Sequence, residues 1–106
     1  NHHALSNLTV FVDRNGWQAM GKTEEVLKLE PLEDKWKAFG WKALRVNGHD
    51  HAAVEKALLA PNDGKPKVII CDTVKGKGVS FMENNPKFHG TAPTAAECAA
   101  ALAELA

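Results

Sequence analysis

Three short, mainly apolar stretches divide the chain: Leu8 to Val12, Ala43 to Val46 and Val68 to Cys71. Each is too short for a globular helix and carries β-branched or aromatic residues, so each is predicted to be a strand. The first and third are continuously apolar, which predicts strands covered on both faces. Between them the spacing becomes helical. Thr23 to Leu27 predicts a helical turn, and Pro31 suits the first turn of another helix. Leu32, Trp36 and Phe39 fall at i, i+4 and i+7 on one face, and Gly40 ends that helix. Asp50 predicts the cap of a helix reaching about Ala60, with Val54, Ala57 and Leu58 facing inward. The stretch "APNDGKP" reads as a loop, and "KGKGVSFMENNPKFHGTAP" as a longer one. Thr94 and Glu97 have capping-box spacing for a last helix, with Cys98, Leu102 and Leu105 on one side. The opening "NHHALSN" reads as the end of a helix.

Apolar strands alternating with amphipathic helices predict an α/β protein, a parallel sheet with helices on both faces. Asn15-Gly16 could close a hairpin after the first strand. No alternating second strand follows it, so a hairpin is not expected.

A chain of 106 residues makes one domain at most. Thirteen basic residues balance thirteen acidic ones without a long basic run, which argues against nucleic-acid binding. No apolar run approaches the length of a membrane span, and "NHHALSNL" lacks the charged and apolar regions of a leader. The two cysteines, Cys71 and Cys98, are too few and too far apart for a metal ribbon or a disulfide framework. Both are expected reduced and packed in a cytoplasmic protein's core.

Candidate chemistry lies in the loops after the strands, because open parallel sheets bind ligands at the carboxyl ends of their strands. Asn15 could offer an amide oxygen to a hard cation such as Mg2+, and the Trp17 carbonyl a second oxygen. By its chemistry alone, Asn15-Gly16 is more readily a simple turn. Lys75 to Gly78 ("KGKG") places glycines that admit a ligand's close approach beside lysines that attract phosphate, although a solvated turn has the same composition. His89 could shuttle a proton or donate to a phosphate, as few lone histidines do. His49 and His51 have no neighbouring carboxylate or cysteine cluster, so a helix start capped by Asp50 is preferred to a metal site. Neither a P-loop nor a GxGxxG fingerprint occurs.

Taken together, "NLTVFVDRNGWQ", "KTEEVLKLEPLEDKWKAFGWKALRVNGHD" and "GKPKVIICDTVKGKGVSFMENNPKFHGTAP" resemble the amino-terminal, thiamine-diphosphate-binding section of transketolases. The resemblance runs from about His2 to the last helix. It corresponds to the second half of that section, so residues 1–106 are expected to be the C-terminal part of a diphosphate-binding domain. The string "TVKGKGVSFMENN" resembles the split, two-chain type. The resemblance implies thiamine diphosphate and Mg2+ as cofactors. Asn15 and the Trp17 carbonyl would be metal ligands. Lys75 and Gly76 would border the cofactor, and His89 would lie over it and assist proton transfer. The implied reaction moves a two-carbon ketol unit between sugar phosphates, as in the pentose phosphate pathway.

The family's aspartate-glycine element, its substrate-contacting histidines from earlier loops and its cofactor-activating glutamate do not occur here. The glutamate belongs to a pyrimidine-binding domain or subunit. "QAMG" also stands where the family commonly has an Ile-Asp-Gly ending, a departure at Ala19 and Met20 in the pocket wall. These 106 residues alone are therefore expected to be inactive, to leave apolar surface exposed and to join a dimer or heterotetramer. Two other readings stay open: another thiamine-diphosphate enzyme, of the deoxyxylulose-phosphate synthase or 2-oxoacid dehydrogenase type, or a non-catalytic α/β interaction domain.

Overall fold

The computed structural model describes residues 2–19 and 21–106. It comprises two compact units, one running to Asn15 and resuming over Leu29–Thr73, the other made of Gly16–Lys28 and Val74–Ala106.

The first unit holds strands β1 (Thr9–Arg14), β4 (Lys42–Asn47) and β5 (Lys67–Asp72) in a wholly parallel sheet, ordered β1-β5-β4. Helix α2 (Leu32–Ala38) covers one face, where Leu32 and Trp36 join Val10, Val12, Ala43, Val68 and Ile70. Helix α3 (His51–Leu59) covers the other, where Val54 and Ala57 meet Leu44, Val46, Ile69 and Cys71. The α/β expectation is met in both its parallel sheet and its two-sided helical cover. Asp50 caps α3 by accepting from the Ala53 amide at 3.0 Å, as its position predicts.

Only β5 is covered as a continuously apolar strand should be. Its residues Val68, Ile69 and Ile70 are fully buried. The first strand is not buried on both faces, because it lies at the sheet edge and Phe11 is 49% exposed. Phe39 is 75% exposed rather than inward; it is the C-cap of α2, one residue past the last helical residue, Ala38. Leu58 is likewise exposed, while Ala57 faces the core. The opening residues form turns, with the Ser6 amide donating to the Ala4 carbonyl at 2.7 Å, not a helix end.

Burial on the α3 face would strand a lysine, but Lys67 is 1% exposed and satisfied. Its Nζ donates to the carbonyls of Ala57, Leu58 and Ala60 at 3.0, 2.7 and 2.8 Å. These are the carbonyls that a helix C-terminus leaves without partners, and the positive charge suits the negative end of the helix dipole.

On the α2 face, four charged residues close the carboxyl end of the sheet. Glu30 accepts from Arg14 Nε at 3.0 Å and from both terminal nitrogens of Arg45 at 3.0 and 3.1 Å. Arg45 also grips both Asp72 oxygens at 2.8 Å. The Arg45 hydrogen bond, followed by the Leu32 amide, holds the Glu30 carboxyl down at about 2.

The second unit contains β2 (Trp17–Gln18) paired antiparallel with β3 (Gly21–Lys22), helix α1 (Thr23–Val26), a 3-10 helix (Pro86–His89) and α4 (Ala95–Glu104). Asn15-Gly16 closes no hairpin on β1, as expected, since β1 pairs with β5; a separate small hairpin, β2–β3, comes just after it. This hairpin turns at Ala19, whose φ is 52°, and its two-residue strands are too short to carry a detectable alternation. Met20, the other departure noted in "QAMG", lies outside the described residues. The α4 capping box is complete, with Thr94 and Glu97 each serving the other's amide. The expected inner side of α4 is open: Cys98 is exposed and Leu102 is 64% exposed. Its hold at the far end is polar, Glu104 accepting from the Ser80 amide and hydroxyl at 2.5 and 2.8 Å.

Replacing Lys67 with Met should cost roughly 2–3 kcal/mol in chemical denaturation, since three helix-end carbonyls lose a charged donor. Lys42, whose pair with Asp63 is at the surface, should cost under about 1 kcal/mol on the same change. Glu30 titrates lower when folded than its ordinary 4.5, so its contribution is complete above that value and disappears as pH falls toward about 2. Wild type should exceed Glu30→Gln by about 1 kcal/mol at neutral pH, with the gap closing between pH 4.5 and 2 in acid melts.

Candidate cofactor-binding site

Asn15 follows β1 directly and closes the first unit. The backbone just before it is fastened from two directions. The Thr73 amide donates to the Arg14 carbonyl at 3.3 Å, and the Thr73 hydroxyl donates to Asp13. With Arg14 also held by Glu30, the end of β1 has little freedom. Asn15 is half-buried there. Its neutral amide oxygen is a hard donor of the kind Mg2+ accepts.

The second unit starts at Gly16, whose φ of 80° is left-handed. Its carbonyl accepts from the Thr23 amide at 3.0 Å and the Thr23 hydroxyl at 3.3 Å, and Thr23 is buried. Trp17 then opens β2, and its indole Nε1 donates to Asn84 Oδ1 at 3.2 Å. Asn84, with φ 54°, donates its own amide to the Lys75 carbonyl at 2.9 Å. Gly76 has φ 71°, and a Cβ there would lie 2.5 Å from the Met82 carbonyl oxygen. Glycine is therefore required at that turn on two counts, handedness and space.

The two lysines of "KGKG" differ. Lys77 pairs with Glu83 at 3.4 Å, and the same carboxylate accepts from the Gly78 amide at 3.1 Å. Half-buried Lys75 has no ion-pair partner among the described residues. Of the two lysines it is thus the one without an ion pair among the described residues.

His89 ends the 3-10 helix, which Asn85 caps by accepting from the Lys87 amide at 3.0 Å. Phe88, within this helix, meets Phe81 edge to face at 5.8 Å. Lys87 pairs with Glu97 at 2.7 Å, tying this helix to the start of α4. That pairing, with the Thr94 hydrogen bonds, holds Glu97 at about 2. The His89 ring is exposed and, among the described residues, makes no hydrogen bond.

Trp17, Lys75 and Gly76 are thus brought together through Asn84, and His89 belongs to the same unit. Sequence reasoning missed Asn84, Thr23 and Glu83. The only signal for Asn84 was the "NNP" run, which marks a turn but not the indole that meets it. Among the described residues no three His, Cys, Asp or Glu side chains cluster as a metal site. An amide oxygen and a backbone carbonyl still fit Mg2+, which takes few protein oxygens and completes its shell with phosphates and water. Apolar grooves of about 280 and 290 Å3, beside β4 and on α2, contain none of the expected site residues.

The family described as "Transketolase, thiamine diphosphate binding domain" matches residues 1–106. The chain belongs to this family. It is 40% identical, over 99% of its length, to one of the subunits of the apulose-4-phosphate transketolase of Phocaeicola vulgatus. It is 45% identical, over 95% of its length, to the 6-deoxy-6-sulfo-D-fructose transketolase subunit SqwG of a Clostridium species. Both relatives are named as subunits, in line with the two-chain resemblance of "TVKGKGVSFMENN". The chain spans 38% of the length of each. Among solved structures, the transketolase of Campylobacter jejuni superposes with a TM-score of 0.74 at 31% identity, over 81% of this chain and 14% of that one. A transketolase from Pichia stipitis, at 20% identity and TM-score 0.69 over 98% of this chain and 20% of that one, shares the fold. The parallel sheet with two-sided helices is thus the thiamine-diphosphate-binding fold of transketolases, in part.

Gly76→Ala should lose about 1–2 kcal/mol from handedness alone, before the contact with Met82 is counted. Gly90→Ala, with nothing within 4 Å of the new Cβ, should melt like wild type. Thermal denaturation of the two variants checks the contrast.

Proposed function

We propose that this chain is the C-terminal part of the diphosphate-binding domain of a split transketolase, which transfers a two-carbon ketol unit from a ketose phosphate to an aldose in the cytoplasm. The match of the family over residues 1–106 carries this reading. Subunit relatives at 40 and 45% identity support the two-chain arrangement, in a dimer or heterotetramer whose other subunit supplies the pyrimidine-binding domain. These relatives being transketolases favours ketol transfer over the 2-oxoacid dehydrogenase and deoxyxylulose-phosphate synthase alternatives. A non-catalytic role draws no support from them.

Thiamine diphosphate, when bound, supplies the nucleophilic carbon and the electron sink. The residues of this chain bind and orient. Asn15 offers its amide oxygen and Trp17 its carbonyl to the Mg2+ that neutralises the diphosphate. Lys75 contributes a positive charge, and Gly76 allows close approach of the backbone. The His89 imidazole moves a proton to or from a substrate hydroxyl. Two oxygens are too few to hold Mg2+ and diphosphate, so the 106 residues alone are inactive.

Mixing the complete gene product with its partner subunit, thiamine diphosphate and Mg2+ should produce ketol transfer from a ketose phosphate, with no turnover by either chain on its own. Turnover of a 2-oxoacid instead would replace this reading with the dehydrogenase one. In the active assembly, His89→Ala should lower kcat/KM by about 100-fold or more without changing the melting temperature.

A further inference from the structure

The hydrogen bonds of Asn84 run in two directions. Its side-chain oxygen accepts from the Trp17 indole at 3.2 Å, across 67 residues of sequence. Its backbone amide donates to the Lys75 carbonyl at 2.9 Å. Both are made from a left-handed backbone, φ 54°, that asparagine tolerates better than most residues. Two positions earlier, the Met82 carbonyl lies so close to Gly76 that a Cβ would stand 2.5 Å from it. The loop around Asn84 therefore fixes the Lys75-Gly76 turn while Asn84 itself holds the residue that opens β2.

We propose that Asn84 is a positioning residue: it sets the register between Trp17 and Lys75, so that the Trp17 carbonyl and the Lys75 ammonium meet the same magnesium-diphosphate group. The inference rests on the reading of Trp17 and Lys75 given under Proposed function. Asn84 is exposed, so its indole bond buries little and adds little to folding. Its consequence falls on the direction of the Trp17 carbonyl. Metal sites are sensitive to such outer partners, whose loss commonly weakens metal binding by about 10–100-fold.

The test uses the complete protein with its partner subunit, titrated with MgCl2 at saturating thiamine diphosphate and followed by calorimetry. Asn84→Gly keeps the left-handed backbone but removes the acceptor. Trp17→Phe keeps the carbonyl but removes the donor. Each should weaken Mg2+ binding by about tenfold. The double variant should be no weaker than either single one, because both act through one bond. Asn84→Asp, which keeps an oxygen acceptor, should restore affinity, and kcat at saturating Mg2+ should stay near wild type. Unchanged Mg2+ affinity in Asn84→Gly, or losses that multiply in the double variant, would overturn the proposal. Should Asn84→Gly fail to fold, Trp17→Phe decides by the same titration. Asn15→Ala separates the two levels. If it leaves Mg2+ binding intact, the ligand assignment itself fails. If it abolishes binding while Asn84→Gly does not, only the role of Asn84 falls.

Discussion

The first unit depends on one strand being dry on both sides. β5 pairs with both other strands of its sheet and is the layer on which α2 and α3 close. Such a strand can carry polar groups only where it enters and leaves the core. It does so at both ends. Lys67 satisfies the carboxyl end of α3, and Asp72 anchors Arg45 and through it Glu30. The apolar middle supplies the burial, and the charged ends set which helix lies where.

That arrangement leads toward the site by continuity of chain. Glu30 precedes α2, so the network that seats this helix also reaches Arg14, one residue before Asn15. Glu30 is ionised far below neutrality, and Arg45 is pushed further above its already high value by Asp72 and Glu30. Both shifts favour the charged forms of this pair.

Local features were legible in the sequence. The Thr94–Glu97 capping box, the Asp50 cap, the three strands and the end of α2 at Gly40 each depend on residues a few positions apart, where pattern carries the information. Neighbourhood across the sheet was not legible. "LTVFV" and "VIIC" look alike, yet one is an edge strand with Phe11 half-exposed and the other is the centre. The Arg14–Glu30–Arg45–Asp72 network joins four distant positions that spacing cannot link. The site shows the same division. Asn15, Trp17, Lys75, Gly76 and His89 came from a long collinear resemblance, since each alone reads as an ordinary turn or loop residue. Asn84 and Thr23 act through contacts that no motif encodes.

The three tryptophans are shared unequally between the units. Trp36 and Trp41 meet edge to face at 4.8 Å within the α2 side of the core, whereas Trp17 stands in the second unit with its indole hydrogen-bonded to Asn84. Trp36 and Trp41 therefore share their surroundings with each other and with the sheet. Trp17 adds an emitter whose surroundings belong to the second. Replacing Trp17, or the Trp36–Trp41 pair, would leave intrinsic indole emission reporting on one unit alone, without any attached dye.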